Sequence, residues 1–135
     1  MAVADDQLKL LELQPSGATT DLRRRRTLAM PELAAWAERT VRALSLTSGL
    51  HRSSDMFVLA QAVKLTEELG ELHAEILGRL QLQRSSKHRR FNEESLRDEL
   101  ADVILSTAIL SQAMGIDLDA AIRNKMNAVD SRMDD

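Results

Sequence analysis

Hydrophobic positions recur along residues 31–135 with the period of an α-helix. Short polar or glycine-containing segments interrupt this pattern. Pro31 and Glu32 suit the first turn of a helix, while Ser53 to Asp55, Asn92 and Asp117 are candidate caps for three more. Gly49 and Gly115 are expected to end helices. The predicted helices cover residues 31–46, 55–82 and 92–114, with the fourth following Asp117.

The second and third predicted helices differ in the distribution of their apolar residues. The second carries apolar residues on one side and polar ones on the other: Leu65, Leu69, Leu72, Ile76, Leu77 and Leu80 against Lys64, Glu67, Glu68, Glu71 and Glu75. The third has no charged residue between Val103 and Ile116 and is apolar almost all round its axis. Such a helix needs covering on every side. We therefore expect a second subunit to help cover it.

These patterns predict an all-α, four-helix bundle-like fold that is completed by oligomerisation. The sequence has two Phe, one Trp and no Tyr, so the core must be aliphatic, which favours helices over a β-sandwich. A chain of 135 residues suits one compact domain, assigned here to residues 31–135. Residues 1–30 show no sustained period and are expected to form an extension with weak or partner-dependent order.

Charge and cysteine usage narrow the functional classes. The net charge of −3 and the scarcity of aromatic residues argue against nucleic-acid binding. No cysteine, no signal pattern and no long apolar run are present, so we expect a cytoplasmic protein that does not enter membranes. Basic runs at Arg23–Arg26 and Arg84–Arg90 are solvated segments or help to hold an anionic substrate.

Two carboxylate pairs lie on the second and third predicted helices: Glu68 with Glu71, and Glu99 with Asp102. A spacing of three residues leaves each pair on one face of its helix, close enough to share an ion. Because the third helix is apolar, unpaired carboxylates there would be costly unless protonated, paired or bound to metal. Carboxylate ligands without histidine or cysteine suit Mg²⁺, with Mn²⁺ as a substitute. His51, His73 and His88 are scattered and are not expected to be ligands.

The two pairs also carry a family resemblance. Glu67-Glu68-x-x-Glu71, followed after 27 residues by Glu99-x-x-Asp102, resembles the signature of the MazG-like, all-α nucleoside triphosphate pyrophosphohydrolases. Similar local context includes Lys64-Leu65-Thr66, Gly70 and the segment from Gly115 to Lys125. The similarity is clear from Phe57 to Arg132, faint from Pro31 to Asp55 and absent before Pro31.

This resemblance implies Mg²⁺-dependent hydrolysis of a nucleoside triphosphate to the monophosphate and pyrophosphate, in a house-cleaning role toward aberrant or excess deoxynucleotides. It makes Glu68, Glu71, Glu99 and Asp102 the metal ligands. A metal-bound water would attack the α-phosphorus, and Glu67, or alternatively Glu71, would orient or deprotonate it. Another interpretation of Glu67 is that it only pairs with Lys64.

Four further residues are candidates for substrate binding: Lys64, Lys125, Arg132 and Trp36. Lys125 lies within the apolar arc of the fourth helix and is expected to point toward the bundle and reach a phosphate, the alternative being a side chain that extends to the boundary. Trp36 either stacks on a base or belongs to the core. Val129 replaces an asparagine that is frequent in relatives, so the base is not predicted.

Two other functions remain open. One is a phosphoribosyl-ATP pyrophosphohydrolase, which has similar carboxylates. The other is a non-catalytic helical module that binds proteins through its acidic stripe and its arginine-rich extension. As an enzyme the chain is expected to form a homodimer or a homotetramer.

Overall fold

The computed structural model describes residues 27–82 and 92–133, which form four helices. They are α1 (Met30–Ser48), α2 (Asp55–Arg79), α3 (Glu93–Ala113) and α4 (Leu118–Met133). These ranges contain no strand, which confirms the all-α prediction. Arg23–Arg26, Arg84–Arg90 and His88 lie outside the described residues, and the domain boundary after residue 30 stays a prediction.

Side-chain caps fix the start of three helices, as the sequence predicts. Ser54 Oγ accepts a hydrogen bond from the Phe57 amide at 3.2 Å, and Asn92 Oδ1 accepts one from the Glu94 amide at 3.0 Å. Asp117 Oδ1 accepts one from Ala120 N at 3.0 Å. Each cap satisfies an amide that has no partner within its own helix.

The helix ends follow the glycine rule in two cases and depart from it in one. Gly49 and Gly115 both have φ +69°, the left-handed conformation that ends α1 and α3. α2 ends at Arg79, before the expected Leu82, because Gln81 has φ 55° and Leu82 N donates to the Leu77 carbonyl at 3.0 Å. A non-glycine residue therefore supplies the left-handed turn after α2, which the sequence does not signal.

α3 is the central helix, since both α1 and α2 pack along it, whereas α4 makes far less contact with it and adds Leu118 to the cluster between α1 and α3. Leu33, Ala37 and Ala108 form a buried cluster between α1 and α3. Other buried apolar side chains are Val41, Phe57, Leu72 and Leu96. α4 has no buried residue. The two acid-bearing helices are consequently fixed side by side.

Most of the leucine side of α2 is not buried within this single chain. Leu72 is buried, but Leu69, Ile76, Leu77 and Leu80 are exposed. Glu68, which was expected on the opposite side, is only 7% exposed. The reason is geometric: α3 packs at the boundary between the acidic and the apolar arcs, and Glu68 and Leu72 lie there one helical turn apart.

Apolar positions on α3 also remain uncovered within the single chain, and the expectation that a second subunit helps to cover this helix stays a prediction. Leu100 and Ile104 are 50% and 57% exposed. In the described part of the chain no single helix is long and apolar enough to cross a membrane. Of the described helices, only α3 and α4 together are long and apolar enough for a membrane span, and the angle between them is 114°.

An ion-pair cluster around Glu38 joins α1 to the α1–α2 loop and to α3. Arg52 donates two hydrogen bonds to the Glu38 carboxylate, both at 2.7 Å, and Gln112 Nε2 donates one at 2.5 Å. Arg42 Nε adds another at 2.8 Å. The bonds from Arg52 and then Arg42 hold the pKa of Glu38 well below its usual value. The sequence does not predict this cluster.

Candidate metal centre

The candidate metal centre lies where the acidic edge of α2 meets the N-terminal half of α3. Glu68, Glu71 and Glu99 each present one carboxylate oxygen, and these three oxygens lie within 4.8 Å of one another. Glu68 and Glu71 are one turn apart on α2, and the packing of α2 on α3 brings Glu99 to them. Three of the four predicted metal ligands therefore converge.

Glu99 is the member of this group whose environment is least favourable to a bare carboxylate. Its Oε2 atom is buried and has no hydrogen-bond partner among the described residues. Desolvation, followed by the charges of Glu71 and Asp102 and then of Glu68 and Glu75, raises the pKa of Glu99. A buried, unpartnered carboxylate oxygen is costly unless a proton or a cation satisfies it.

Asp102, the fourth predicted ligand, is half-buried on α3 one turn after Glu99. It does not belong to the group of oxygens within 4.8 Å, although its charge contributes to the raised pKa of Glu99. Its assignment as a ligand stays a prediction.

A cavity of about 290 Å³ opens beside the three carboxylates. Its lining consists of Glu71, Glu75, Ser95 and Glu99. Glu75 and Ser95 were not among the predicted site residues. The signal was present, because Glu75 lies one turn after Glu71 and Ser95 one turn before Glu99, on the same helix faces.

Lys64 supplies positive charge at the rim of the centre. Its Nζ atom lies 2.7 Å from Glu68 Oε1 and 3.3 Å from Glu67 Oε2. The hydrogen bond to Glu68 and then the one to Glu67 raise the pKa of Lys64 to about 12. The pairing of Glu67 with Lys64 is thus present, and Glu67 is an exposed side chain outside the group of three oxygens.

The other predicted substrate-binding residues do not line this cavity. Lys125 is exposed on α4, next to a shallow apolar depression formed with Ile122, Met126, Val129 and Asp130, so the expectation that it points into the bundle is wrong in the single chain. Arg132 Nε donates to the Ala128 carbonyl at 3.0 Å. Trp36 packs against the cluster of Leu33, Ala37 and Ala108, in agreement with the core interpretation.

The donor set fits a hard divalent cation. All three converging ligands are carboxylates, which Mg²⁺ and Mn²⁺ prefer, and a cation between them would satisfy the buried Glu99 oxygen. His51 and His73, the two histidines within the described ranges, are exposed and do not belong to the group. The centre can therefore hold a metal ion through oxygen ligands alone.

Comparison with known proteins agrees with this arrangement. The family model described as the MazG-like family matches residues 59–133, a segment that includes every carboxylate of the centre. No curated protein and no solved structure matches the chain. Since the matched segment spans more than half of the sequence, the chain belongs to the MazG-like family, which at family level indicates a nucleotide pyrophosphohydrolase type of activity.

Proposed function

We propose that the protein is a Mg²⁺-dependent pyrophosphohydrolase that cleaves a nucleoside triphosphate to the monophosphate and pyrophosphate. The observation that carries the proposal is the convergence of Glu68, Glu71 and Glu99 within 4.8 Å, with one Glu99 oxygen buried and unpartnered among the described residues. Four negative charges near a buried oxygen, with Asp102 included, make a centre for cations and not for an anionic substrate by itself.

Glu68, Glu71, Glu99 and Asp102 would hold the cation in this proposal. When bound, Mg²⁺ supplies the positive charge that attracts the triphosphate and stabilises the charge that develops on the leaving pyrophosphate. The positions of Lys64 and Glu67 on α2 indicate the roles proposed for them. Lys64, at the rim, is placed to contact a phosphate oxygen once the substrate lies over the carboxylates.

Glu67 is the proposed residue that orients the attacking water, with Glu71 as the alternative. A new bond forms between the water oxygen and the α-phosphorus, and the bond from the α-phosphorus to the bridging oxygen breaks. The carboxylate takes the proton of the water, and pyrophosphate leaves with the bridging oxygen. The position of Glu67 favours this role, because it is next to Glu68 but does not belong to the group of three converging oxygens.

We further propose a homo-oligomer, a dimer or a tetramer, in which a second copy covers the apolar side chains left open here. Support comes from the apolar side chains that are exposed in the single chain: Leu100 and Ile104 on α3, and Leu69, Ile76, Leu77 and Leu80 on the leucine side of α2. Lys125 and Arg132 would contact substrate only in such an assembly, whereas Trp36 belongs to the core of the single chain. Light scattering coupled to gel filtration tests it, and a monomer at all accessible concentrations contradicts it.

The test of the activity is a substrate panel in which pyrophosphate and orthophosphate are measured separately, with and without Mg²⁺. Glu68→Gln and Asp102→Asn should abolish Mg²⁺-dependent pyrophosphate release while far-ultraviolet circular dichroism stays close to that of the wild type. Asp98→Asn, at an exposed position next to Glu99, is the matched control and should retain activity. Substantial turnover by both site variants would remove the catalytic assignment.

The same panel separates the alternatives. Including phosphoribosyl-ATP distinguishes the phosphoribosyl-ATP pyrophosphohydrolase from an enzyme acting on nucleoside triphosphates. A non-catalytic interaction module predicts no thermal stabilisation by Mg²⁺ together with a non-hydrolysable triphosphate, whereas specific binding raises the melting temperature.

A further inference from the structure

Lys64 forms an ion pair with one of the carboxylates of the candidate metal centre. Its ammonium nitrogen lies 2.7 Å from Glu68 Oε1, although Glu68 is one of the three carboxylates that converge on the metal centre. The Lys64 side chain is 52% exposed and that of Glu68 only 9%, so the lysine reaches from the surface down to a buried acid. In the described chain the two residues thus form a surface-to-interior ion pair.

This pair compensates for charge that the fold would otherwise leave unbalanced. Glu68 is held against α3 beside Glu71 and Glu99, and burying a carboxylate among like charges is unfavourable without a cationic partner. Lys64, one turn before Glu68 on α2, is the cationic partner that the structure shows for it. A divalent cation bound at the same oxygens would make the ammonium redundant and would repel it.

Glu67 gives the displaced ammonium a place to remain. Its Oε2 atom lies 3.3 Å from Lys64 Nζ, and its side chain is 57% exposed. Loss of the contact with Glu68 therefore does not send Lys64 into bulk solvent, because Glu67 still holds it at the rim. From there the flexible four-carbon stem reaches an anion bound above the carboxylates.

We infer that Lys64 is an exchangeable internal counter-ion: its ammonium neutralises Glu68 in the metal-free protein, the divalent cation displaces it, and the released ammonium binds the triphosphate. The inference rests on the proposed function, since it takes a metal and a triphosphate as the ligands. It adds a competition between the Lys64 ammonium and the metal for Glu68, which the assignment of four carboxylate ligands does not include. Lys64 lowers the affinity for the metal alone and raises the affinity for the triphosphate when metal is present.

Metal binding without nucleotide is the first test. Isothermal titration with Mn²⁺ compares the wild type with Lys64→Met, which keeps the side-chain length and removes the charge, and with Lys64→Arg, which keeps the charge. Because Lys64 itself is half-exposed, its ion pair with Glu68 contributes up to about fivefold in affinity, so Lys64→Met should bind Mn²⁺ roughly fivefold more tightly than wild type. Lys64→Arg should bind no more tightly than wild type.

Arg97→Met is the control for a general effect of net charge. Arg97 lies on α3 and its ion partner is Glu93, at 3.9 Å, which is outside the metal centre. Equal gains in Mn²⁺ affinity for Lys64→Met and Arg97→Met would overturn the inference, because no specific displacement would be needed. Equal Mn²⁺ affinity of Lys64→Met and wild type would also overturn it, while leaving the proposed activity intact.

The second test follows the ammonium itself. The chain has four lysines, so the ¹³C signals of lysine-labelled protein can be assigned by comparison with Lys64→Met. The Lys64 signal should shift when Mg²⁺ is added and shift again when inorganic tripolyphosphate follows. In titrations with Mg²⁺ present, Lys64→Met should bind tripolyphosphate more weakly than wild type, although it binds the metal more tightly.

The two kinds of failure are distinguishable. If wild type binds neither Mn²⁺ nor Mg²⁺ at millimolar concentration, the metal centre and the inference fail together. If wild type binds the metal and Lys64→Met binds tripolyphosphate as well as wild type does, only the transfer of the Lys64 ammonium from Glu68 to the triphosphate is refuted.

Discussion

Glu99→Gln should stabilise the metal-free protein, although it removes a predicted ligand. The wild-type carboxylate is desolvated, has no hydrogen-bond partner for Oε2 within the described ranges and is repelled by Glu71, Asp102 and Glu68. Glutamine keeps the shape, removes the charge and can donate to a neighbouring carboxylate. Glu99→Gln therefore removes both the desolvation of the charge and its repulsion by neighbouring acids, and both changes favour the folded state.

The distance among the three oxygens sets the size of the effect. Two like charges 4.8 Å apart repel by about 0.9 kcal/mol at the dielectric constant of water and by about 3.5 kcal/mol at an effective value of 20. Lys64 offsets the charge of Glu68, which leaves Glu71 as the main repelling neighbour. Glu71 is exposed, so the lower figure applies. We expect a gain of about 1 kcal/mol, a rise in melting temperature of about 4 °C.

Thermal denaturation in the presence of a chelator, and then with Mn²⁺, provides the measurement. Wild type should gain stability from Mn²⁺, and Glu99→Gln should gain little. The difference between their melting temperatures should therefore become smaller or change sign when metal is added. Asp98→Asn, the exposed neighbour on α3, should change neither value by more than a degree or so. A metal-free Glu99→Gln protein that melts below wild type would refute the repulsion argument.

Three further predictions concern the frame of the site. Because its pKa is lowered in the folded state, Glu38 contributes stability that is present at neutral pH and lost as the pH falls below about 5, so Glu38→Gln should lower the melting temperature at pH 7 and flatten its acid dependence. Gly70→Ala should stabilise the metal-free protein by about 1 kcal/mol, since the added Cβ would meet no atom within 4 Å. A lower melting temperature for the variant would indicate that a partner occupies this space. Leu72→Ala should cost about 2 to 3 kcal/mol in chemical denaturation and weaken Mn²⁺ binding, whereas Leu46→Ala, at an 85% exposed position on α1, should do neither.

Helix positions were predictable because they depend on local signals. Ser54, Asn92 and Asp117 cap helices as their side-chain chemistry requires, and Gly115 ends α3 with a positive φ. The earlier end of α2 was not predictable, because the left-handed residue there is Gln81, which carries no glycine signal. The family resemblance, read from the spacing of the acids, is confirmed by the match over residues 59–133.

Burial was harder to predict, because it depends on which neighbour covers a helix face. A helical projection places Glu68 in the acidic arc of α2 and Leu72 in the apolar arc, yet both are buried because α3 lies over the boundary between the arcs. The same limitation hid the link from Glu38 to Gln112, residues far apart in sequence. Convergence of Glu99 on α2 was foreseeable from the paired motif, whereas Asp102 stands outside the group of close oxygens.

The packing explains how a cluster of mutually repelling acids can hold its geometry before any cation binds. Leu72 lies one turn after Glu68 and Leu96 nearly one turn before Glu99, and both leucines are buried, at 8% and 6% exposure. Each helix turn that presents a metal-centre carboxylate is therefore next to an apolar side chain that resists separation of α2 from α3. Further along α3, Ala108 packs on α1, and Glu38 ties α1 to the same helix through Gln112. Stability gained at these positions offsets the repulsion at Glu99, so the three carboxylates stay close together without a cation between them.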